Sequence, residues 1–432
     1  MDSARTRRVL VAAGVAALAL PLAACSGSGD DRTQIAFLVP NSGANVEAAE
    51  AMIAAFEDAN PDIAVTLETQ PAGTEGDNLM KTKLATGEMA DVFWYNSGSL
   101  FQALNPDQNL VDLSDESWVG DLQDTMAAVV STGTGVYGAP FGSTQAGAVL
   151  YNKTIYAELG LEVPTTWDEF AANNEAIAAA GTTAVIQTYG ETWTSQLFIL
   201  GDFGNVLAQD PDWAEEYTAG NRKYVDEPGL QGFVNQQEAA EAGWFNQDFA
   251  SAMYDDGIRM VATGEGAHYP ILTSAVSTIQ QNYPDNVEDV GVFPLPAQDA
   301  ADTKLTIWLP NAVYIPNTTE GDELTAAKAF VAFINSADGC EVQNTAMVPS
   351  GPYVVSSCEL PDEVPGLLND MQVYFDEGAT NPALEFLSPI KGPNLENITV
   401  EVGSGIRTAE DGAALYDEDV KKQAQQLGLD GW

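Results

Sequence analysis

Strand and helix patterns alternate along the N-terminal part of the chain, and this alternation narrows the possible folds more than any other feature. Residues 34–40 (QIAFLVP) have the composition of a strand, and residues 46–56 repeat apolar side chains at the spacing of a helix face. An alternating strand pattern over 63–67, a helix pattern over 78–86 and a strand over 91–95 follow. This succession predicts an α/β fold in which helices cover a parallel or mixed sheet.

Aromatic residues stand at the carboxyl end of the third strand in this series. The segment ADVFWYNSG (90–98) carries Trp94 and Tyr95 immediately before a polar turn that begins with Asn96. In open α/β sheets, ligands bind beyond the carboxyl ends of strands, so these side chains are candidates for a binding site. Because successive strand residues point to opposite faces, Trp94 and Tyr95 are expected on opposite sides of the sheet.

The rest of the chain continues the α/β pattern and is too long for one compact core. A helix pattern over 164–181, strand patterns over 182–189 and 289–299, and a helix face over 324–334 precede a largely helical C-terminal third. With 432 residues in total, two domains are the natural expectation.

The N-terminal 24 residues have the features of an export signal. Basic residues precede an apolar run over 9–20 that is too short for a stable membrane span and is followed by Pro-Leu-Ala-Ala-Cys. This ending resembles a bacterial lipobox, in which the chain is cut before the cysteine and the cysteine is acylated. We therefore expect residues 1–24 to be a lipoprotein signal peptide, Cys25 to carry lipid, residues 25–32 to form a flexible linker, and the protein to be extracytoplasmic and lipid-anchored to the cell membrane. The alternative is an ordinary secreted protein with a chance cysteine at position 25.

Two further cysteines and the net charge limit the metals, nucleic acids and ligands that this protein is expected to bind. Cys340 and Cys358 are expected to form a disulfide, as cysteine pairs in exported proteins usually do, and no histidine lies near them in sequence to suggest a metal site. A net charge of −47 argues against nucleic acid as a partner, because phosphate contacts need Lys and Arg. The acidity indicates either high solubility or a cationic ligand, and both interpretations stay open.

Several segments occur in an order that resembles the bacterial extracellular solute-binding proteins of the sugar- and oligosaccharide-binding type. The strongest match is residues 137–170, with Tyr-Asn-Lys, Gly-Leu and Pro-x-Thr-Trp-x-Glu-Phe in succession. The other segments that carry the resemblance are 56–68, 79–98, 257–267, 290–296 and 326–344. The resemblance implies a maltose-binding-protein-like monomer without cofactor or metal, which captures a sugar and delivers it to the membrane permease subunits of an ABC importer.

The same resemblance implies a periplasmic-binding-protein-like type II fold, in which a multi-strand hinge joins two α/β lobes around a ligand cleft. Closure of the lobes over a ligand is a hinge motion for which periplasmic binding proteins are a known example. Projecting the family layout places the chain crossings near 141–145, 293–297 and 378–383. Lobe 1 would then comprise residues 33–141 and 297–378, and lobe 2 residues 145–293 and 383–432.

A sugar site needs aromatic side chains for the C–H faces of the rings, and amides, carboxylates or backbone groups for the hydroxyls. Trp94, Trp193 and Trp308 stand at or near strand ends that the resemblance places at the cleft, and Gln145 replaces a Glu of some maltose-type relatives. His268 and Tyr269 stand where many relatives carry a tryptophan, so Tyr269 is expected to replace that stacking residue, and His268 is either structural or a ligand contact. The candidate ligand-binding residues are Asn41, Trp94, Tyr95, Asn96, Gln145, Trp193, His268, Tyr269, Trp308 and Tyr353.

Three alternatives compete with sugar uptake: a glycosidase, a protein that binds a cationic solute, and a surface adhesin or sensor component without a transport role. A glycosidase needs a closely spaced carboxylate pair, which an acidic chain does not exclude, but the sequence carries no nucleophile motif, P-loop or zinc signature. We therefore expect a binding protein rather than an enzyme. A protein of the same fold that binds a cationic solute such as a polyamine is the second alternative, because fold alone does not decide the ligand.

Overall fold

The computed structural model describes residues 32–432, so the expected signal peptide, Cys25 and nearly all of the linker lie outside the described residues. The strands are β1 Thr33–Pro40, β2 Ile63–Gln70, β3 Val92–Tyr95, β4 Gly138–Pro140, β5 Gln145–Asn152, β6 Thr183–Val185, β7 Gly266–Leu272, β8 Val290–Phe293, β9 Leu305–Trp308, β10 Ala312–Tyr314 and β11 Thr380–Pro382. They form a first sheet in the order β2-β1-β3-β10-β4 and a second in the order β11-β9-β5-β7-β6, with β8 also paired to β5. Each sheet belongs to one α/β lobe.

Helices cover both sheets. They are α1 Gly43–Ala59, α2 Gly73–Thr86, α3 Ser99–Gln102, α4 Pro106–Asn109, α5 Asp124–Val129, α6 Lys153–Leu159, α7 Trp167–Ala179, α8 Leu197–Leu200, α9 Phe203–Gln209, α10 Trp213–Thr218, α11 Gln231–Glu241, α12 Tyr254–Thr263, α13 Ala275–Asn282, α14 Gly321–Ile334, α15 Ala337–Ala346, α16 Gly366–Asp376, α17 Leu395–Gly403 and α18 Ala409–Gln426. None of the described helices is long and apolar enough to cross a membrane.

The first lobe confirms the alternation seen in the sequence. Strand β1 pairs in parallel with β2, from Thr33 opposite Ile63 onward, and with β3. Helix α1 begins after Ser42, whose hydroxyl accepts a hydrogen bond from the backbone N–H of Asn45, and packs its buried face on the sheet. In that face the Phe56 ring lies edge-on to a ring of α14, with centroids 5.0 Å apart. Because helices cover both faces, the interior of β1 is continuously apolar rather than alternating.

The chain passes between the sheets by short connections. It leaves β4 of the first sheet and enters β5 of the second through residues 141–144, and it returns from β9 to β10 through residues 309–311. The expected return near 293–297 is therefore displaced along the chain. Strand β9 pairs antiparallel with β5, with Trp308 opposite Gln145, so the segment carrying β9 completes the second sheet instead of starting the first lobe.

The last crossing also differs from the expected position of 378–383. Helix α15 packs against α1 in the first lobe, whereas α16 packs against β8 in the second. Leu367, Leu368 and Met371 of α16 are buried in the apolar cluster formed by β5, β7 and α12. The crossing therefore precedes residue 366, because this apolar helix face is covered only by the second lobe.

The expected disulfide between Cys340 and Cys358 is present. It joins α15 to the loop that follows residue 347, and both cysteines pack with Tyr353 and Val355 in a small cluster. The bond therefore fastens the loop that carries Tyr353 to a helix of the first lobe.

A buried carboxyl group at the start of α9 predicts a pH-dependent stability. Asp202 is 2% exposed, its Oδ1 accepts a hydrogen bond from Asn205 Nδ2 at 2.7 Å, and burial raises its pKa to about 8. Folding therefore favours the protonated form, whereas the unfolded chain ionises near pH 4. This group's contribution to the free energy of unfolding is complete below about pH 4 and falls as the pH rises toward 8.

We expect Asp202→Asn to lose less stability than the wild type between pH 5 and pH 8, because the amide keeps the acceptor for Asn205 and does not ionise. Urea unfolding at both pH values measures the difference. The exposed Asp212→Asn is the matched control and should follow the wild type. If the free energy of unfolding changes by the same amount between pH 5 and pH 8 in the wild type and in Asp202→Asn, Asp202 is not the group responsible for the pH dependence.

Candidate ligand-binding cleft

A cleft of about 510 Å³ lies between the two lobes. Its walls come from segments that follow β1, β2 and β3 in the first lobe, and from β5, β9 and the segments around residues 191–200 and 385–396 in the second. The end of the first sheet at which β1, β2 and β3 terminate therefore faces the second lobe. The carboxyl ends of the parallel strands meet there, as expected for an α/β sheet.

The first-lobe wall contains the aromatic strand end of β3. Trp94 is 6% exposed, and its ring centroid lies 4.7 Å from that of Phe141 in the first crossing. Trp94 and Tyr95 both line the cleft but belong to apolar clusters on opposite faces of the sheet, which agrees with strand alternation. Burial and the neighbouring Asp77 carboxylate raise the pKa of Tyr95 well above its usual value, so its hydroxyl stays protonated. Asn96 follows at the rim.

The second-lobe wall presents two further indole rings. Trp193 lies in a short 3-10 helix over Thr192–Gln196, is half-buried, and packs 5.5 Å from the ring of Tyr254. Trp308 ends β9 and is 7% exposed at the cleft. Its ring lies so close over Gly147 of β5 that a side chain at that position would overlap it. A glycine is therefore required there for the indole to pack this closely on the strand.

Amide and hydroxyl groups complete the lining. Gln145 is half-buried at the start of β5, and Asn41 is exposed just after β1. Tyr353 lines the cleft from the disulfide-bonded loop, and its hydroxyl donates to Asn344 Oδ1 at 2.9 Å. Among the described residues that line the cleft, the buried atoms without a hydrogen-bond partner include Gln70 Oε1, Trp94 Nε1, the Tyr95 hydroxyl and Gln145 Oε1.

His268 and Tyr269 lie in the interior of the second lobe, so neither serves the cleft role considered for it. Both are fully buried in β7 and absent from the cleft lining. The imidazole is held between the Asn174 side chain and the Tyr156 hydroxyl, each at 2.7 Å, and burial lowers its pKa to about 3. The Tyr269 hydroxyl is 2.7 Å from that of Thr188. The central strand β7 is covered on both faces, so a side chain on either face is buried.

Charged residues that the sequence did not single out also line the cleft. They are Asp77 at the start of α2, Glu191, Asp255, Glu385, Lys391 and Glu396. Lys391 Nζ lies 3.6 Å from Glu385 Oε2. Burial, and secondarily the charge of Asp255, raises the pKa of Glu191, and burial raises that of Asp77. These positions are scattered along the chain, and no short sequence pattern brings them together.

The cleft lining combines aromatic rings with polar and charged side chains. Within residues 32–432, no group of His, Cys, Asp and Glu side chains is arranged to hold a metal ion. Indole rings stand on both walls, and carboxylates, amides and one ammonium stand between them. Such a lining can cover the apolar face of a hydroxylated ligand and hydrogen-bond to its rim.

Comparison with solved structures supports the fold. Over 91% of this chain the structure resembles a chitin oligosaccharide binding protein, with a TM-score of 0.78, 20% identity and 100% of that chain covered. It resembles the binding protein RafE in complex with raffinose over 91% of this chain and 99% of that chain, with a TM-score of 0.73 and 20% identity. A sugar transporter from Bacillus licheniformis in complex with stachyose has a TM-score of 0.71 at 17% identity, and the match covers 91% of this chain and 100% of that chain.

Sequence comparison points to the same group. A multiple sugar-binding protein of Streptococcus mutans is 27% identical over 289 residues, which are 64% of this chain and 66% of that relative, slightly under two thirds of its length. The melibiose/raffinose/stachyose-binding protein MelE of Bacillus subtilis is 24% identical over 69% of this chain and 70% of its own. The sequence profile of bacterial extracellular solute-binding proteins matches residues 41–339. The chain therefore belongs to the bacterial extracellular solute-binding protein family.

Proposed function

We propose that this protein captures a sugar or short oligosaccharide in the interlobe cleft and passes it to the permease of an ABC importer. The observation that carries the proposal is the combination of indole rings on both walls with buried polar atoms that lack partners. Trp94, Trp193 and Trp308 supply the rings, and Trp94 Nε1 and Gln145 Oε1 are such atoms. A ligand with C–H faces and a rim of hydroxyls matches both features.

The energetics favour such a ligand. Covering one sugar face removes on the order of 100 Å² of apolar surface from water, which is worth about 2.5 kcal/mol before ordering costs. A buried polar atom without a partner costs about 1–3 kcal/mol, and a ligand hydroxyl that reaches it recovers part of that cost. The indole N–H donates and the Gln145 oxygen accepts, so a hydroxyl, which does both, serves either atom.

The site residues follow from the lining of the cleft. We assign ligand contact to the sequence candidates that line it, and not to His268 or Tyr269. The proposed ligand-binding residues are Asn41, Trp94, Tyr95, Asn96, Gln145, Trp193, Trp308 and Tyr353. Hinge bending at the crossings 141–144 and 309–311 would bring the walls together around the ligand.

The anchoring and transport roles are proposals of the same kind. The names of the relatives include binding of raffinose and stachyose, which supports an oligosaccharide for this chain as well. The family is extracellular, and the lipobox-like segment ending at Cys25 supports a lipid anchor on the outer side of the membrane. Membership of a solute-binding family supports binding rather than glycoside hydrolysis.

A thermal-shift screen tests the ligand class. We expect a neutral di- or oligosaccharide to raise the melting temperature by several degrees at concentrations well above Kd, because a ligand that binds only the folded state stabilises it. Spermidine in parallel tests the cationic alternative, which the carboxylates of the cleft make a useful comparison. A shift with spermidine and none with any saccharide would overturn the proposal.

The Trp193→Ala variant tests the aromatic wall. We expect sugar affinity to weaken roughly ten- to a hundredfold, because one ring face loses its cover, while the fold is retained since Trp193 is only half-buried. Isothermal titration calorimetry measures the affinity. The matched control is Trp432→Ala, which removes a half-buried tryptophan outside the cleft lining and should leave affinity unchanged. Unaltered binding by Trp193→Ala would remove that residue from the site.

A further inference from the structure

Helix α2 begins at the cleft without a side-chain cap of its own. Its N-cap residue is Ala72, which offers no acceptor to the free N–H groups of the first turn. The acceptor comes instead from the other lobe. The backbone N–H of Thr74 points to Glu396 Oε1 at 3.4 Å, and Glu396 belongs to α17 of the second lobe.

The second lobe holds this carboxylate in position. Glu396 is 7% exposed, and the Thr192 hydroxyl donates to the same Oε1 at 2.9 Å. Both groups belong to the second lobe, where the segment bearing Thr192 packs against α17. Contacts within the second lobe therefore orient the Glu396 carboxylate toward the start of α2.

The approach of the lobes at this point is close. A β-carbon on Gly73 would lie 3.3 Å from Glu396 Oε2 and 3.7 Å from the β-carbon of Trp193. A second bond crosses the same gap, because the Thr74 hydroxyl donates to the carbonyl of Pro393 at 3.3 Å. The start of α2 thus meets the second lobe through two hydrogen bonds and a tight backbone contact.

The contact with the helix N-terminus is electrostatically favourable, and the Asp77 carboxylate of α2 opposes it in part, since burial and, more weakly, the Glu396 charge raise the pKa of Asp77. A helix N-terminus carries a partial positive charge, and a carboxylate placed there stabilises the helix while satisfying its free N–H groups. When the lobes separate, both partners return to water and the interaction is lost. A carboxylate that caps a helix of the opposite lobe therefore stabilises the closed arrangement relative to the open one.

We propose that Glu396 is a clasp between the lobes, a positioning residue that favours closure and thereby raises ligand affinity. The effect on closure needs no ligand, whereas the effect on affinity rests on the proposed sugar-binding function. Since closure and ligand binding are coupled, a loss of closed population in the free protein lowers the apparent affinity by the same factor.

The first test uses the free protein. Small-angle X-ray scattering compares the radius of gyration of the unliganded wild type, Glu396→Ala and the control Glu418→Ala, which removes an exposed carboxylate from α18. We expect Glu396→Ala to have the larger radius of gyration, and the control to match the wild type. Thr192→Val, which removes only the hydroxyl that orients Glu396, should shift the radius in the same direction by a smaller amount. Circular dichroism establishes that each variant is folded.

The second test uses a saccharide identified by the thermal-shift screen. Removing a helix cap of this type should weaken binding about fivefold in Glu396→Ala, and Glu396→Gln should keep part of the affinity because its oxygen still accepts from Thr74. An unchanged or smaller radius of gyration in free Glu396→Ala would overturn the clasp, whatever the ligand is. A larger radius together with no saccharide binding in the wild type would leave the clasp standing and overturn the sugar proposal instead.

Discussion

Backbone pairing between segments that lie far apart in the chain is the constraint on which this structure depends. Strand β10 enters the first sheet between β3 and β4 only after the chain has passed through most of the second lobe. Strand β9, directly before it, pairs with β5 in the second sheet. Neither sheet is complete without a segment that arrives from the other lobe. Two of the connections between the sheets, 141–144 and 309–311, are short and anchored by strands on both sides, which is an arrangement suited to a hinge.

The binding wall and the hinge share side chains. Phe141, in the first crossing, packs against Trp94 of the wall, and its ring centroid lies 6.3 Å from that of Phe37 in β1. The second crossing starts directly after Trp308. Under the proposed function, a ligand held against these rings would therefore lie next to both crossings between the lobes.

Polar groups of the cleft fall into two sets, those without a hydrogen-bond partner and those that join the lobes. Trp94 Nε1 and Gln145 Oε1 are buried without partners among the described residues, which is a cost that the proposed hydroxylated ligand would reduce. Glu396 is also largely buried, but its acceptor is used by Thr192 and by the start of α2. The first set would serve the proposed ligand, whereas the second joins the lobes directly. Under the proposed function, both contributions add to the free energy of ligand binding.

The sequence by itself determined the α/β class, the helix face of α1, the aromatic end of β3 and the cysteine pair, because each depends on local periodicity or composition. It did not determine which sheet receives β9 or which lobe covers α16, because a short apolar strand or helix face fits any sheet with a free edge or face. Nor did it place His268 and Tyr269, since one central strand pattern allows burial or exposure depending on what covers it. Only the tertiary structure brings the acidic residues of the cleft together. It also places Glu396 next to the start of α2, although the two segments are more than three hundred residues apart in the chain. Local interactions determined which segments form helices and strands, and long-range packing determined which sheet or lobe each of them joins.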